Sequence, residues 1–400
     1  MSKLDKLLEG VEVEWKKLGG TLVRTKGTKI TAGKMKEIHK DNAPLKIFAG
    51  GKTIAFVNFD DIPSKDINRE PSIIVKSRGV IEFAYYDKPF SHKNEMWSYH
   101  SSNDNISIKF VYYFLKIQEP YFQNIAGRMQ MPQISTPDTE KFKIPIPNPN
   151  NPEKSLKIQQ EIVRILDTFT ELTTELTTEL TARKKQYNYY REKLLTFDEN
   201  EVKHLPMGDE NVGKFIRGGG LQKKDFTDSG VGCIHYGQVY THYGTYANKT
   251  KSFVSEEFAK KARIAKYGDL VIATTSENDE DLCKAVAWLG EEEIAVSSDA
   301  CFFRHNLNPK YVAYFFQTEQ FHKQKRKFIT GAKVRRVNAS NLEKMKIPVP
   351  PLKEQERIVS ILDKFDTLTN SISEGLPKEI ALRKKQYEYY REKLLTFPKK

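Results

Sequence analysis

RKKQYNYYREKLLTF at 183–197 and RKKQYEYYREKLLTF at 383–397 are two copies of one fifteen-residue stretch, differing only at Asn188 and Glu388. They stand 200 residues apart in a chain of 400. Neither chance nor generic helix composition produces such agreement, so the chain is two copies of one plan. The correspondence extends outward. EVEWKKLG (12–19) matches EVKHLPMG (201–208) at its first, second and last residues. KFVYYFL (109–115) matches KYVAYFF (310–316), KIPIP (143–147) matches KIPVP (346–350), and IVRILDTF (162–169) matches IVSILDKF (358–365). Anchors align on both sides of stretches that do not align with each other.

From about 153 to 195, Ile158, Ile162, Ile165, Leu166, Phe169, Leu172, Leu176, Leu180, Tyr187, Tyr190 and Leu194 recur at spacings of three and four. That predicts a long helix with one apolar face, about 60 Å at 1.5 Å per residue, nearly two turns of B-DNA at about 34–36 Å each. TELT is repeated in tandem inside it, at 170–173, 174–177 and 178–181. A second long helix is expected after 351, interrupted by Gly375 and Pro377. Its first segment is expected to end near Gly375 and its second to carry Pro377 in the first turn. Residues 1–18 read as a short amphipathic helix through Leu4, Leu7, Leu8 and Val11. Strands are expected at 52–59 and 72–75 and a helix at 109–118. The fold expectation is α+β: two mixed α/β modules at 1–150 and 199–351, separated by helices at 151–198 and 352–400. Helices this long pair, here as an antiparallel coiled coil that relates the halves by a pseudo-two-fold axis.

Composition narrows the class. The chain is 38% hydrophobic and 29% charged, which suits long exposed helices. Its three cysteines (Cys233, Cys283, Cys301) show no CxxC spacing, and an odd count fits a reducing cytoplasm rather than a disulfide framework. Charges interrupt the first fifteen residues, which therefore do not read as a signal peptide, and no apolar run reaches membrane-span length. The formal charge is +13, with +5 in the first 200 residues, +8 in the second 200, and 11 basic against 2 acidic residues in 301–350. Such an excess suits a polyanion, nucleic acid above all; the bland alternative is an ordinary basic protein.

The anchors resemble the DNA-specificity (S) subunits of type I restriction–modification systems. The marks are PPLKEQERIVSILDKFD (350–366), IQQEIVRILDTF (158–169), the RKKQY-x-YYREKLL pair and the TELT tandem. The tandem and LTNSISEGLP (368–377) look most like the IC subgroup. The resemblance implies that each variable module is a target recognition domain reading one half of a bipartite, asymmetric sequence in double-stranded DNA. The two helices would set the spacer and dock two methyltransferase (M) subunits. Those carry S-adenosylmethionine, while motor-nuclease (R) subunits joined through them use ATP and Mg. The S chain itself holds no cofactor and no catalytic site.

Motifs for chemistry are absent on the residue reading too. No Asn/Asp-Pro-Pro-aromatic motif is present, and AGGKT (49–53) lacks the first glycine of a phosphate-binding loop, so a glycine turn before a strand is the better reading. The histidines and cysteines lack ligand spacing for a metal. The competing class is a single-chain nuclease or methyltransferase with an unrecognised active site.

Residue chemistry nominates the candidate DNA contacts. GAKVRRVNAS (331–340) offers Lys333, Arg335, Arg336 and Asn338, and its counterpart GRMQMPQIST (127–136) offers Arg128, Gln130 and Gln133. Arginine presents paired donors to guanine, while Asn and Gln match adenine. GCIHYGQVYTHYG (232–244) is expected as a strand and turn presenting Tyr236, Gln238 and Tyr240, against the alternative that its tyrosines face a core. Arg217, Lys223 and Lys224 in a flexible basic loop, with Lys26, Lys29 and Lys34 in module one, suit phosphates, which position without specifying. On the repeated motif, Arg183, Lys184, Tyr187, Tyr190 and Arg191, with Arg383, Lys384, Tyr387, Tyr390 and Arg391, are expected to bind the partner subunit. DNA-backbone contact is the competing reading for these.

Overall fold

The structure, a computed structural model, describes residues 8–127 and 131–397. It divides into two compact units, one formed by Met1–Glu175 with Ile380–Lys400 and the other by Leu176–Glu379. Each unit holds one module, a stretch of each long helix and one copy of the repeated motif. The copy that completes the second module directly precedes it. The copy that completes the first module comes from the far end of the chain.

The modules share a plan that their sequences conceal. In module one an antiparallel sheet runs Val23–Lys26, Trp97–His100, Ser72–Lys76, Glu82–Tyr86. Module two has the same order in Gly213–Arg217, Ala300–His305, Leu270–Ala273, Ala285–Trp288, with Tyr246–Ala247 added at the edge. A second sheet in each places a parallel pair beside an antiparallel neighbour: Leu45–Phe48 between Phe90–His92 and Ile54–Val57, and Val231–Ile234 between Ile294–Val296 and Ser252–Val254. The expected strands at 52–59 and 72–75 are Ile54–Val57 and Ser72–Lys76, and the helix at 109–118 is Ile108–Ile117. Gly50 and Gly51 form the turn before Ile54, as the strand-after-glycine reading of AGGKT expected.

The matched anchors are the frame that closes each module. Val13–Lys17 pairs antiparallel with Lys143–Pro147, and His204–Pro206 with Lys346–Pro348. Trp15 faces Pro145 and His204 faces Pro348, the same register in both. Prolines are tolerated because these are two-stranded ribbons. Gly19 and Gly208 each lie two residues beyond the first strand of the ribbon, where no side chain fits: a Cβ there would lie 2.8 Å from Glu140 Cβ and 2.7 Å from Glu343 Cβ. This ribbon corrects the helix expected over 1–18 at its second half only: residues 1–7 lie outside the described residues and Leu8 is helical. Residues 13–17 are strand because pairing with 143–147 overrides the local spacing. Leu8 and Val11 pack on the module core, while Leu4 and Leu7 lie outside the described residues.

The first long helix is continuous from Pro152 to Leu195, opened by Asn151, whose side chain accepts from the Lys154 N–H at 2.9 Å. The second is Leu352–Asn370 and Gly375–Leu395. Its break falls four residues earlier than the Gly375 expectation: Gly375, at φ +71, opens the second segment instead of ending the first. Pro377 stands in the first turn as expected.

The end of each repeated motif is core. Leu394, Leu395 and Phe397 are buried with Phe110, Ile144 and Ile162 in one unit; Leu195 is buried with Tyr311, Ile347 and Ile358 in the other. Buried Gln159 and Gln355 sit at matching places, accepting the backbone N–H of Ser107 and Asn308 at 2.9 and 2.8 Å. Unpaired, those buried amide groups would each cost about 1–3 kcal/mol.

Candidate nucleic-acid interface

In module two, Thr330 and Arg336 face each other and exchange backbone hydrogen bonds of 3.0 and 2.9 Å. Gly331 turns the chain at φ +88, where a Cβ would lie 2.1 Å from the Val334 carbonyl oxygen. The result is a hairpin whose tip, residues 331–334, is exposed. Arg335–Arg336 pairs with Thr275–Ser276, which comes just after the central strand Leu270–Ala273. Arg335 is held by the fold, 2.9 Å from Asp279 and donating to the Gly331 carbonyl at 2.7 Å. Lys333, Arg336 and Asn338 are exposed. Asn338 starts the helix Ala339–Leu342 with no hydrogen bond from its side chain to the helix end. These three present one bidentate donor, one point charge and one amide, the groups that read or hold a duplex.

Module one builds the same arrangement. The Ile134 N–H donates to the Ser77 carbonyl at 3.0 Å and the Gly79 N–H to the Pro132 carbonyl at 2.9 Å. Residues 132–134 therefore run along 77–79, just beyond the matching central strand Ser72–Lys76. Arg78 Nε donates to Gln133 Oε1 at 3.0 Å. Arg128 and Gln130 lie outside the described residues. Val80 and Met131 are 62% and 63% exposed, so apolar surface is presented at this edge. Arg78 was missed by sequence reasoning; its signal was a lone arginine in the glycine turn KSRGV after a strongly β-forming run.

The segment 232–244 corrects the strand-and-turn expectation. Val231–Ile234 is strand, but Tyr236–Thr241 is a helix. His235 caps it, accepting from the Gly237 N–H at 3.2 Å. Gln238 uses both ends of its amide within the fold: Oε1 accepts from the His235 N–H at 3.0 Å and Nε2 donates to Ser252 at 2.7 Å. Both ends of the amide are therefore already engaged within the module. The Tyr240 hydroxyl donates to the Thr275 carbonyl at 2.7 Å, and burial raises its pKa. Tyr240 thus braces the strand against which the hairpin docks, and Tyr236 packs partly buried on the module core. The alternative that the tyrosines face inward describes the segment better.

The lysines and arginines expected on phosphates are distributed. Lys26 ends a strand and Lys29 lies just beyond it, both exposed, while Lys34 is paired with Glu37 at 2.6 Å. Lys223 and Lys224 occupy an ordered 3-10 turn, exposed, where a flexible loop was expected. Arg217 is exposed, its Nε directed at the Ser298 carbonyl at 3.4 Å.

The repeated motif sorts into two faces. Tyr187 is 4% exposed and stacks on Phe365 with ring centroids 6.2 Å apart, so it packs within its own unit and offers no surface for docking. Arg191 lies over the Tyr187 ring and donates to Gln317 at 3.2 Å; Tyr190 stacks on Phe365 at 5.5 Å. Arg391 lies over Tyr387 in the same way, and Tyr390 stacks on Phe169 at 5.2 Å. Arg183 and Arg383 donate to Gln186 and Gln386 within their helices, each at 3.0 Å. The exposed face carries Lys184, Lys185 and Tyr189, repeated as Lys384, Lys385 and Tyr389. Both tyrosines are 59% exposed.

Comparison with known proteins adds three findings. A family model, the type I restriction modification DNA specificity domain, matches twice, at residues 28–184 and 210–382. The EcoR124I/EcoR124II type I restriction enzyme specificity subunit of Escherichia coli is 37% identical over 408 residues, covering 100% of this chain and 98% of its own. Among solved structures, the type I restriction–modification S subunit from M. genitalium superposes with a TM-score of 0.60 at 17% identity, covering 100% of both chains.

Proposed function

This chain belongs to the type I restriction modification DNA specificity family, and from that membership we propose how its two modules and two helices divide the work. The chain is the non-catalytic, DNA-binding specificity subunit of a type I restriction–modification complex. Each module reads one half of a bipartite, asymmetric target. Lys333, Arg336 and Asn338 read or hold one half-site, and Gln133 with Arg78 the other. One observation carries this reading: both modules have the same sheet order and bring a loop to the same place beside the central strand, yet the residues presented there differ. A shared frame with unlike tips is what two different half-sites require.

The long helices set the distance between half-sites. The exposed Lys184, Lys185 and Tyr189 face and its repeat dock two methyltransferase subunits, because like partners need like surfaces. S-adenosylmethionine, ATP and Mg act on the partner subunits, and the complex works in the cytoplasm, where the DNA is.

The test is to express the chain with its methyltransferase subunit and map methylated adenines in host DNA. Replacing Lys333 and Arg336 by Ala should leave one half-site intact and weaken discrimination in the other by about tenfold or more per lost base contact. A map unchanged in both halves would remove the hairpin from the reading surface.

A further inference from the structure

Lys325 is among the most buried side chains in module two, 1% exposed, on the helix Glu319–Arg326. Its ammonium donates to three backbone carbonyls, those of Asp279 at 2.8 Å, Glu280 at 3.1 Å and Leu282 at 2.7 Å. No carboxylate forms an ion pair with it among the described residues. A buried lysine is costly unless its donors are satisfied, and here three donors meet three acceptors. What they grip is the connection from Leu270–Ala273 to Ala285–Trp288. That connection supplies Thr275 and Ser276, against which the hairpin pairs, and Asp279, which holds Arg335. At its end, Cys283 sits at φ +65, a conformation a non-glycine residue keeps only where its surroundings enforce it.

Module one holds the topologically equivalent connection from the equivalent helix. Gln123, on Glu119–Ala126, donates through Nε2 to the Ile81 carbonyl at 3.0 Å, and Glu119 accepts the Phe83 N–H at 2.7 Å. Ile81 lies in the turn that begins with Arg78. The connections differ in length and sequence, and so do the side chains that hold them. The device is the same: a polar side chain from the second short helix fixes the carbonyls of the loop behind the reading edge.

We propose that Lys325 and Gln123 are positioning residues for sequence recognition, each setting the geometry of its own module's reading edge without touching DNA. This rests on the assignment of those edges to half-sites. The experiment uses the full chain with its methyltransferase subunit in cells, reading the map of methylated adenines. Lys325→Met should degrade discrimination in the module-two half-site by about tenfold at one or more positions, leaving the other half-site and the spacer unchanged. Gln123→Leu should do the converse. Folding of each variant is monitored by circular dichroism; should Lys325→Met not fold, the exposed Gln123 carries the test alone. Folded variants with both half-sites intact would overturn the proposal, as would equal loss in both halves. The Lys333/Arg336 double substitution separates the two ideas. If it alters its half-site while folded Lys325→Met does not, the positioning role fails and the reading edge stands. If it too changes nothing, the edge assignment fails first.

Discussion

Lys109 and Tyr113 converge on Asp167, at 2.7 and 2.5 Å, and Lys310 and Tyr314 converge on Asp363, at 2.7 and 2.6 Å. Each aspartate belongs to the ILD of a long helix, and each Lys and Tyr to the short helix of the adjoining module. Charge-assisted bonds of this kind contribute more than neutral ones, about 1.5–3 kcal/mol each, reduced here because both partners are partly exposed. Asp363→Ala should therefore lower stability by about 2 kcal/mol, seen as a reduced urea midpoint, while Lys310→Ala in the Asp363→Ala background should add little. A change below about 0.5 kcal/mol would mean that solvent already satisfies these groups. At this scale the sequence was half legible. KFVYYFL, KYVAYFF and the two ILD triplets could be matched, but their bonding could not, because bonded partners lie 49–58 residues apart. Gln238 marks the limit more sharply. Its amide chemistry suits adenine, and only the fold shows both ends taken by His235 and Ser252.

Among elements, the first long helix was the most legible, because its period is strong and neither glycine nor proline interrupts it. Within its tandem the hydroxyls of Thr170, Thr173, Thr174 and Thr181 donate to carbonyls four residues back, at 2.8–2.9 Å. Such back-bonding ties these hydroxyls to their own helix, and a four-residue unit is close to one helical turn, so the register of the apolar face is nearly kept when one is removed. Deleting 174–177 should shorten the helix by about 6 Å and rotate its remaining C-terminal part by about 40°. The expected outcome is a shorter non-specific spacer with both half-sites unchanged, read from methylation mapping; an altered half-site sequence would argue against a spacing role. The 232–244 segment was misread for an opposite reason. Alternating tyrosines imitate a strand, but His235 caps a helix that the module core then covers. Similarly, residues 13–17 were included in a helix whose period rests on Leu4, Leu7, Leu8 and Val11, and form a strand because their partner is the remote segment 143–147.

For the whole molecule, the duplication was plain in the sequence while its consequence was not. The fifteen matched residues suggested a docking surface on every face. Instead, one face of each copy closes a module through Leu195 or Leu395 and the ring stacks on Phe365 or Phe169, leaving Lys184, Tyr189 and their repeats for a partner. Agreement along the motif thus reflects packing against like modules, to which the proposed docking adds exposure to like partners. The sheet order common to both modules was invisible, since pairing partners are remote and the strands share no residues that reveal it. Because the anchors keep one register, with Trp15 opposite Pro145 and His204 opposite Pro348, one module should fit the other's frame. The decisive measurement replaces residues 201–350 by a second copy of residues 12–147 and maps adenine methylation in cells supplying the methyltransferase subunit. One module per half-site requires a symmetric target, with the module-one half-site on both sides and the original half-site of module two gone. Retention of the original asymmetric target by the folded chimera would contradict it.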